Sequence, residues 1–289
     1  MPIEWKADQL QSNVVRVTQE VKATTGWESW FLLSSDRHHD NSHTKHKLEK
    51  RHLDTALERG AGIIDAGDLH CAMQGKWDPR QDRSALREEY TAGDYLDALV
   101  RYAVKFYSPY GDNWLVMGRG NHEQSIKKRH ETDLVVRTVD GMKAKCPDSP
   151  ITAGGYGGWI IFRFVRHGSA TTVRLKYYHG AGGGGPVTRG VIQTNRMAVY
   201  LPSADIILTG HTHDMWQVPI SRERISARGK IFHDEQLHIR SGTYKDEYGD
   251  GSEGWHVETM KPPKPLGAWW LRFYYENHEV LKWQAIRAT

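Results

Sequence analysis

The apolar residues fall into short runs, several of which end on a polar cluster. Trp30-Phe31-Leu32-Leu33-Ser34-Ser35 reads as a buried strand that runs into a loop at Asp36. From Lys45 to Arg59, the residues Leu48, Leu53, Ala56 and Leu57 recur at helical spacing among charges, and Gly60 closes the pattern. The same alternation then returns twice. Gly62 to Asp65 is a strand that leads into Ala66-Gly67-Asp68, and Leu86 to Tyr107 is amphipathic, with Tyr95, Leu99, Tyr102 and Phe106 on one face. Trp114 to Met117 is a third strand, followed by Gly118-Arg119-Gly120-Asn121-His122 and a charged helical segment from Gln124 to about Lys145. Three βα units in succession predict a largely parallel sheet with helices on its faces, and such sheets place ligands beyond the carboxyl ends of their strands.

After Pro150 the texture changes. Trp159 to Val165 and Thr171 to Tyr178 are rich in β-branched and aromatic residues, which predicts antiparallel strands around Arg166-His167-Gly168-Ser169. A glycine-rich stretch from Gly180 to Gly185 follows His179, and Ala204 to Leu208 is a strand that delivers Gly210-His211-Thr212-His213. The remainder alternates strand-like runs, including Lys230 to Ile239 and Trp269 to Tyr275, with turns. Pro262 to Pro265 reads as a surface loop, because strand-like sequence resumes at once. The expected organisation is one domain over 1–289, with a motif core at 30–215 and completing strands at 216–289.

Composition narrows the class. A chain of 289 residues can bury roughly three quarters of the surface its unfolded form exposes, enough for one large core. No apolar run approaches the roughly 20 residues needed to span a bilayer, and Met1 to Glu20 lacks the apolar stretch of a signal peptide. A cytoplasmic protein is therefore expected, in the host cytoplasm if phage-encoded. Two cysteines are too few for a disulfide scaffold. With 39 basic against 35 acidic residues, the whole chain does not carry the charge of a dedicated nucleic-acid binder.

Five polar motifs sit after predicted strands: Asp36-Arg37-His38, Gly67-Asp68, Gly120-Asn121-His122-Glu123, His179 and Gly210-His211-Thr212-His213. They offer carboxylates, imidazoles and one amide, the nitrogen and oxygen donors preferred by Mn, Fe, Zn, Co and Ni. Any one of them alone reads better as turn chemistry. The ordered set resembles the calcineurin-like metallophosphoesterases, of the phage and bacterial type, with a His-x-His ending similar to that of DNA-repair nucleases.

The resemblance implies a four-layer α/β/β/α sandwich with two mixed β-sheets and a site for two divalent metal ions, Mn favoured. It assigns Asp36, His38 and His213 to one ion, Asn121, His179 and His211 to the other, and Asp68 to a bridge between them. It makes His122 the residue that stabilises or protonates the leaving oxygen, with Glu123 or another carboxylate orienting it. Arg189, beyond the glycine-rich loop, is a candidate partner for a substrate phosphate. Lys127 to His130, with Arg163, Arg166, Arg174 and Lys176, are candidates for a polyanion groove, although a solvated face is the commoner fate of such charges. The neighbouring His39, Asp40, His43, His46 and His70 read as structural or solvated polar residues.

Departures from the better-defined relatives narrow the substrate. The Arg-Gly expected of a serine/threonine protein phosphatase is missing after Asp68, and Cys71 replaces the tyrosine of the purple acid phosphatases. The expected activity is phosphoester hydrolysis, leaning to a phosphodiesterase or nuclease acting on nucleotides or nucleic acid. The alternatives are a small-molecule phosphomonoesterase, a cyclic-nucleotide phosphodiesterase, and a non-catalytic metal-binding scaffold.

Overall fold

The computed structural model describes residues 2–73, 85–91, 93–183, 185, 187–252 and 254–288. Gly184 and Pro186 of the glycine-rich stretch lie outside the described residues. The strands are β1 (Trp5–Gln11), β2 (Val14–Glu20), β3 (Glu28–Ser34), β4 (Gly62–Asp65), β5 (Trp114–Met117), β6 (Thr152–Ala153), β7 (Gly157–Arg166), β8 (Ser169–Tyr178), β9 (Ile206–Thr209), β10 (Trp216–Ile225), β11 (Ile231–Arg240), β12 (Ala268–Glu276) and β13 (Val280–Ala288). The helices are α1 (His46–Arg59), α2 (Tyr95–Tyr107), α3 (Asn121–His130), α4 (Leu134–Lys145), α5 (Ile192–Tyr200) and α6 (Trp255–Glu258).

Two mixed sheets result. One has the order β1-β2-β7-β8-β9-β11-β10 and the other β13-β12-β3-β4-β5-β6. The three βα units do form a parallel set, β3 to β6, but β12 closes its edge in antiparallel register, pairing Trp269 with Leu33 and Phe273 with Ser29. The expectation of a largely parallel sheet therefore holds for that half alone. The other sheet is mixed because the β7–β8 and β10–β11 hairpins join it beside the parallel strand β9.

Packing explains the layers. Phe31, Leu33, Ile64 and Val116 of one sheet meet Val15, Val17, Ile160, Phe162, Leu175 and Ile206 of the other in the central core. The rings of Phe31 and Phe162 lie 4.6 Å apart and those of Phe162 and Phe273 4.9 Å apart, so aromatic contacts span the interface. Truncating one such ring to Ala costs about 3–5 kcal/mol. Leu32, Ile63, Trp114 and Met117 point to the other face, against α1, α2 and α4. On the far side, Met197 of α5 packs with Ala204 and Ile207. Trp269 and Trp270 are both buried, one in the central core and one against the helices, as adjacent strand residues must be. The architecture is thus an α/β sandwich of two mixed sheets flanked by helices.

Three local expectations change. The segment from Gln124 to Lys145 is two helices, because Glu131 takes a left-handed φ of 55° and Asp133 caps α4 by accepting from the Val136 amide. The amphipathic run from Leu86 becomes α-helical only at Tyr95, and its buried residues are Ala98, Leu99, Ala103, Val104 and Tyr107. Helix α1 buries Glu49 and His52 beside Leu53 and Ala56, while Leu57 is exposed, which rotates its inward face toward polar residues. The β1–β2 hairpin and α5 occupy stretches where the hydrophobic pattern singles out no element.

Candidate metal centre

Each candidate ligand follows a strand or opens the helix after one. Asp36 lies past β3, Asp68 past β4, Asn121 at the start of α3 after β5, His179 just past β8, and His211 and His213 past β9. The first three strands belong to one sheet and the last two to the other. Both parallel sets end at one edge of the sandwich, and the loops meet across the gap between the sheets.

The meeting is close. His38 Nε2 and His213 Nε2 approach to 3.1 Å, and Asp36 Oδ1 lies 3.4 Å from His213 Nε2. In the second cluster Asn121 Oδ1 is 3.0 Å from His179 Nε2 and 2.7 Å from His211 Nδ1, and Asp68 Oδ2 is 3.1 Å from His179 Nε2. Asp36, His38 and His213 each place a donor atom within 4.8 Å of the others, and so do Asp68, His179 and His211. All seven expected ligands therefore converge in two adjoining clusters.

The backbone is bent to achieve this. Asp36, His38, Asp68, His211 and His213 all adopt left-handed φ angles between 46° and 76°. Such residues outside glycine cost about 1–3 kcal/mol each in strained cases, and they gather where surrounding structure holds a working site. Close approach also dictates two glycines. A Cβ at Gly120 would stand 2.0 Å from Asp68 Oδ1, and one at Gly210 would stand 2.0 Å from Ser35 Oγ and 2.5 Å from Asp36 Oδ2.

Two observations test whether these residues suit a cation. Asp36 Oδ1 is buried with no hydrogen-bond partner, an arrangement that a carboxylate oxygen tolerates only beside positive charge. Burial would lower the His179 pKa, yet the Asp68, Asp36 and Glu123 carboxylates outweigh it and raise the value to about 9. Without metal, that imidazole retains a proton where the clustered carboxylates call for a cation. Burial likewise opposes charge on Asp68, but His179 and His122 hold its carboxyl well below the usual range. The Nδ1–H of His179 donates to the Ala66 carbonyl at 3.2 Å, which turns Nε2 toward Asn121 and Asp68 as the atom that could face a cation. The donor set fits two divalent cations.

His122 sits beside both clusters. Its backbone amide donates to Asp68 Oδ1 at 2.9 Å, its Nε2 lies 3.7 Å from Asp68 Oδ2, and its ring is 4.9 Å from that of His38. Glu123 does not orient it. The Glu123 carboxylate is buried and accepts from the amides of Gly120, Asp68 and His70, tying the loops together, while the Nδ1–H of His122 donates to the Cys71 carbonyl. Burial pushes the Cys71 thiol up to about 12, so it stays protonated as a small filler. Arg189 is exposed and lines a separate cavity of about 170 Å³ with Asp214 and Trp216, and none of the seven ligands borders that cavity. Arg166 stands at the turn of the β7–β8 hairpin, about 30 Å along the strand from His179.

Arg37, Glu49 and Arg240 went unrecognised in the sequence, whereas His39, Asp40 and His46 serve as structural polar residues beside the site. Arg37, between two ligands, turns its side chain into the protein, where it donates to Asp65 Oδ2 at 2.8 Å, Glu49 Oε1 at 3.0 Å and Ser34 Oγ at 2.9 Å. His39 Nδ1 hydrogen-bonds Glu49 Oε2 at 3.2 Å, and His46 Nδ1 stands 3.3 Å from the same oxygen. Asp40 accepts from the amides of Cys71 and Ala72, fixing the loop that carries the His122 partner. Arg240 donates to Gly210 O at 2.7 Å and Thr212 Oγ1 at 3.1 Å, bracing the His211–His213 loop. The position of Glu49 on the Leu53–Ala56 stripe of α1 was the available signal.

The two-sheet sandwich carries the candidate ligands at one strand edge. No protein-family model matches the chain, and no curated protein matches it. Among solved structures it is similar to GAP50, the anchor in the inner membrane complex of Plasmodium, at 10% identity over 91% of this chain and 85% of that one, with a TM-score of 0.46. It is also similar to Vacuolar Protein Sorting 29 from Cryptosporidium parvum (11% identity, 90% and 99% covered, TM-score 0.38). A metallophosphoesterase from Sphaerobacter thermophilus matches at 13% identity over 89% and 88%, with a TM-score of 0.33. No helix among the described residues is long and apolar enough to cross a membrane.

Proposed function

We propose that the protein is a dinuclear metal-dependent phosphoester hydrolase that prefers diesters of nucleotides or nucleic acid. The observation that carries the reading is the convergence of two three-donor clusters and Asn121, with His122 at their margin. Asp36, His38 and His213 would hold one ion, Asn121, His179 and His211 the other, and Asp68 both. Mn is the ion we favour. A pair of divalent ions so held supplies positive charge to phosphoryl oxygens and lowers the pKa of a coordinated water. The protein's own contribution is placement. The Cys71 carbonyl fixes the His122 ring through Nδ1 and leaves Nε2 beside the two clusters, where in its protonated form it would donate to the leaving oxygen.

We read 1–289 as one domain acting in the cytoplasm and Arg189 as a contact for the outer part of the substrate. The deciding experiment is a panel of bis(4-nitrophenyl) phosphate, 4-nitrophenyl phosphate, single-stranded DNA and duplex DNA, each assayed with Mn, Fe, Zn, Co and Ni. Diester cleavage with at least one ion is expected. Absence of diester cleavage with every ion would refute the preference, and monoester turnover alone would move the assignment to a phosphomonoesterase.

A further inference from the structure

A cavity of about 610 Å³ opens beside the candidate ligand Asn121, lined by Asn121, Gln124, Ser125, Lys128, Arg129 and Tyr156. Four of these residues form the i, i+3, i+4, i+7 stripe of α3, whose opposite face buries Glu123 and Ile126. The stripe runs from a ligand to a basic stretch. Within that stretch Lys127 is tied to Asp133 at 3.0 Å, whereas Lys128 has no ion-pair partner among the described residues. Seven residues correspond to about 10 Å along a helix axis. Helical side chains tilt toward the N-terminus, which carries Lys128 and Arg129 back toward the ligands.

That spacing bears on the substrate. A lone phosphate seated at the ligands does not account for a basic stretch two turns further along the helix, whereas a second phosphate of the same chain would meet it. The remaining wall is aromatic. Tyr156 is held by its hydroxyl, which donates to Gly180 O at 2.9 Å, and by edge contacts with His179 at 5.4 Å and Tyr178 at 5.5 Å. The lining contains no aliphatic side chain. Cations that track a backbone, combined with an aromatic ring, are the means by which single-stranded nucleic acid is held, and a duplex keeps its base faces inside the stack.

We infer that this cavity is the strand-binding subsite for a single-stranded nucleic acid, with Lys128 and Arg129 holding a phosphate that flanks the scissile one and Tyr156 stacking on a base. The assignment rests on the hydrolase reading above and extends it to a substrate class. Gln124 and Ser125 supply hydrogen-bonding groups to the sugar-phosphate chain between these points.

The test is fluorescence anisotropy with a fluorescein-labelled phosphorothioate oligothymidylate and the full-length protein, across about 50–200 mM salt. The double variant Lys128→Ala/Arg129→Ala should bind about tenfold more weakly, with a log–log salt slope shallower by about 0.7 for each phosphate no longer neutralised. Tyr156→Leu should weaken binding about tenfold and Tyr156→Phe should restore it. Lys6→Ala, on the distant strand β1, serves as the control and should bind like the parent. Unchanged affinity and slope in the double variant would overturn the inference, as would tighter binding of a duplex that depends on the same two residues. Hydrolysis of bis(4-nitrophenyl) phosphate without oligonucleotide binding sinks the subsite alone. Binding that depends on Lys128 and Arg129, without hydrolysis of any diester by any metal form, sinks the hydrolase reading and leaves the subsite standing.

Discussion

Replacing Arg37 by Met should destabilise the protein by about 3–5 kcal/mol, the cost of leaving buried charge uncompensated. The guanidinium is fully buried, donates to Asp65, Glu49 and Ser34, and lies 5.0 Å from the Tyr244 ring and 5.3 Å from that of Trp114. Met fills much of that volume without strain, so the loss isolates the charge and the fork of hydrogen bonds. Asp65 keeps the Ser34 hydroxyl and the Gly67 amide, and Glu49 keeps Tyr107, His39 and His46, which sets the cost within that range and not above it. An unfolding entropy of about 2.1 cal/mol/K per residue over 289 residues converts the loss to a melting temperature lower by about 5–8 °C. Differential scanning calorimetry measures the shift. The companion variant Arg37→Met/Glu49→Gln/Asp65→Asn should recover part of it, because the orphaned carboxylates are neutralised. A single variant that melts within about 1 °C of the parent, or a triple variant no better than the single, would refute this reasoning.

Asp68→Asn should lose bound metal as measured by plasma mass spectrometry, since a neutral amide is a poor bridge between two cations; full occupancy would contradict the bridge. His122→Ala should retain metal while turnover of a diester falls about 10²–10⁴-fold, and an unaffected rate would remove His122 from the chemistry. Gly210→Ala drives a methyl group into Ser35 Oγ and Asp36 Oδ2, so the Asp36 cluster should lose its metal first; a fully loaded variant would show that the loop relaxes freely. Arg189→Ala should raise KM for an oligonucleotide severalfold with kcat little changed, and an unchanged KM would strike Arg189 from the substrate contacts.

How far the sequence leads can be seen residue by residue. The seven candidate ligands were legible because each follows a recognisable strand and their ordered set resembles that of the calcineurin-like metallophosphoesterases, and the structure gathers all seven. Arg37, Glu49 and Arg240 were not, although they hold the same loops. Their significance depends on being buried together, and a charged residue in a sequence reads by default as solvated. Glu123 illustrates the same limit from the other side. The sequence places it beside His122, but the direction of its side chain from α3 sends it to the amides of Gly120, Asp68 and His70.

By itself, the sequence determined the local elements of the βα half, the position of each ligand beyond a strand end, and the chemistry those donors offer. The reason is that hydrophobic periodicity and strand-end placement are properties of consecutive residues. Only the tertiary structure decided that β12 joins the βα half in antiparallel register, that α3 and α4 part at Glu131, and that His122 leans on the Cys71 carbonyl. It also decided that the α3 stripe from Asn121 to Lys128 lines a cavity beside the candidate metal centre, whereas Arg166 and Arg189 do not border that cavity. Those outcomes depend on contacts between residues tens to hundreds of positions apart, which no periodicity encodes, and they are fixed by how two sheets bury their faces against each other.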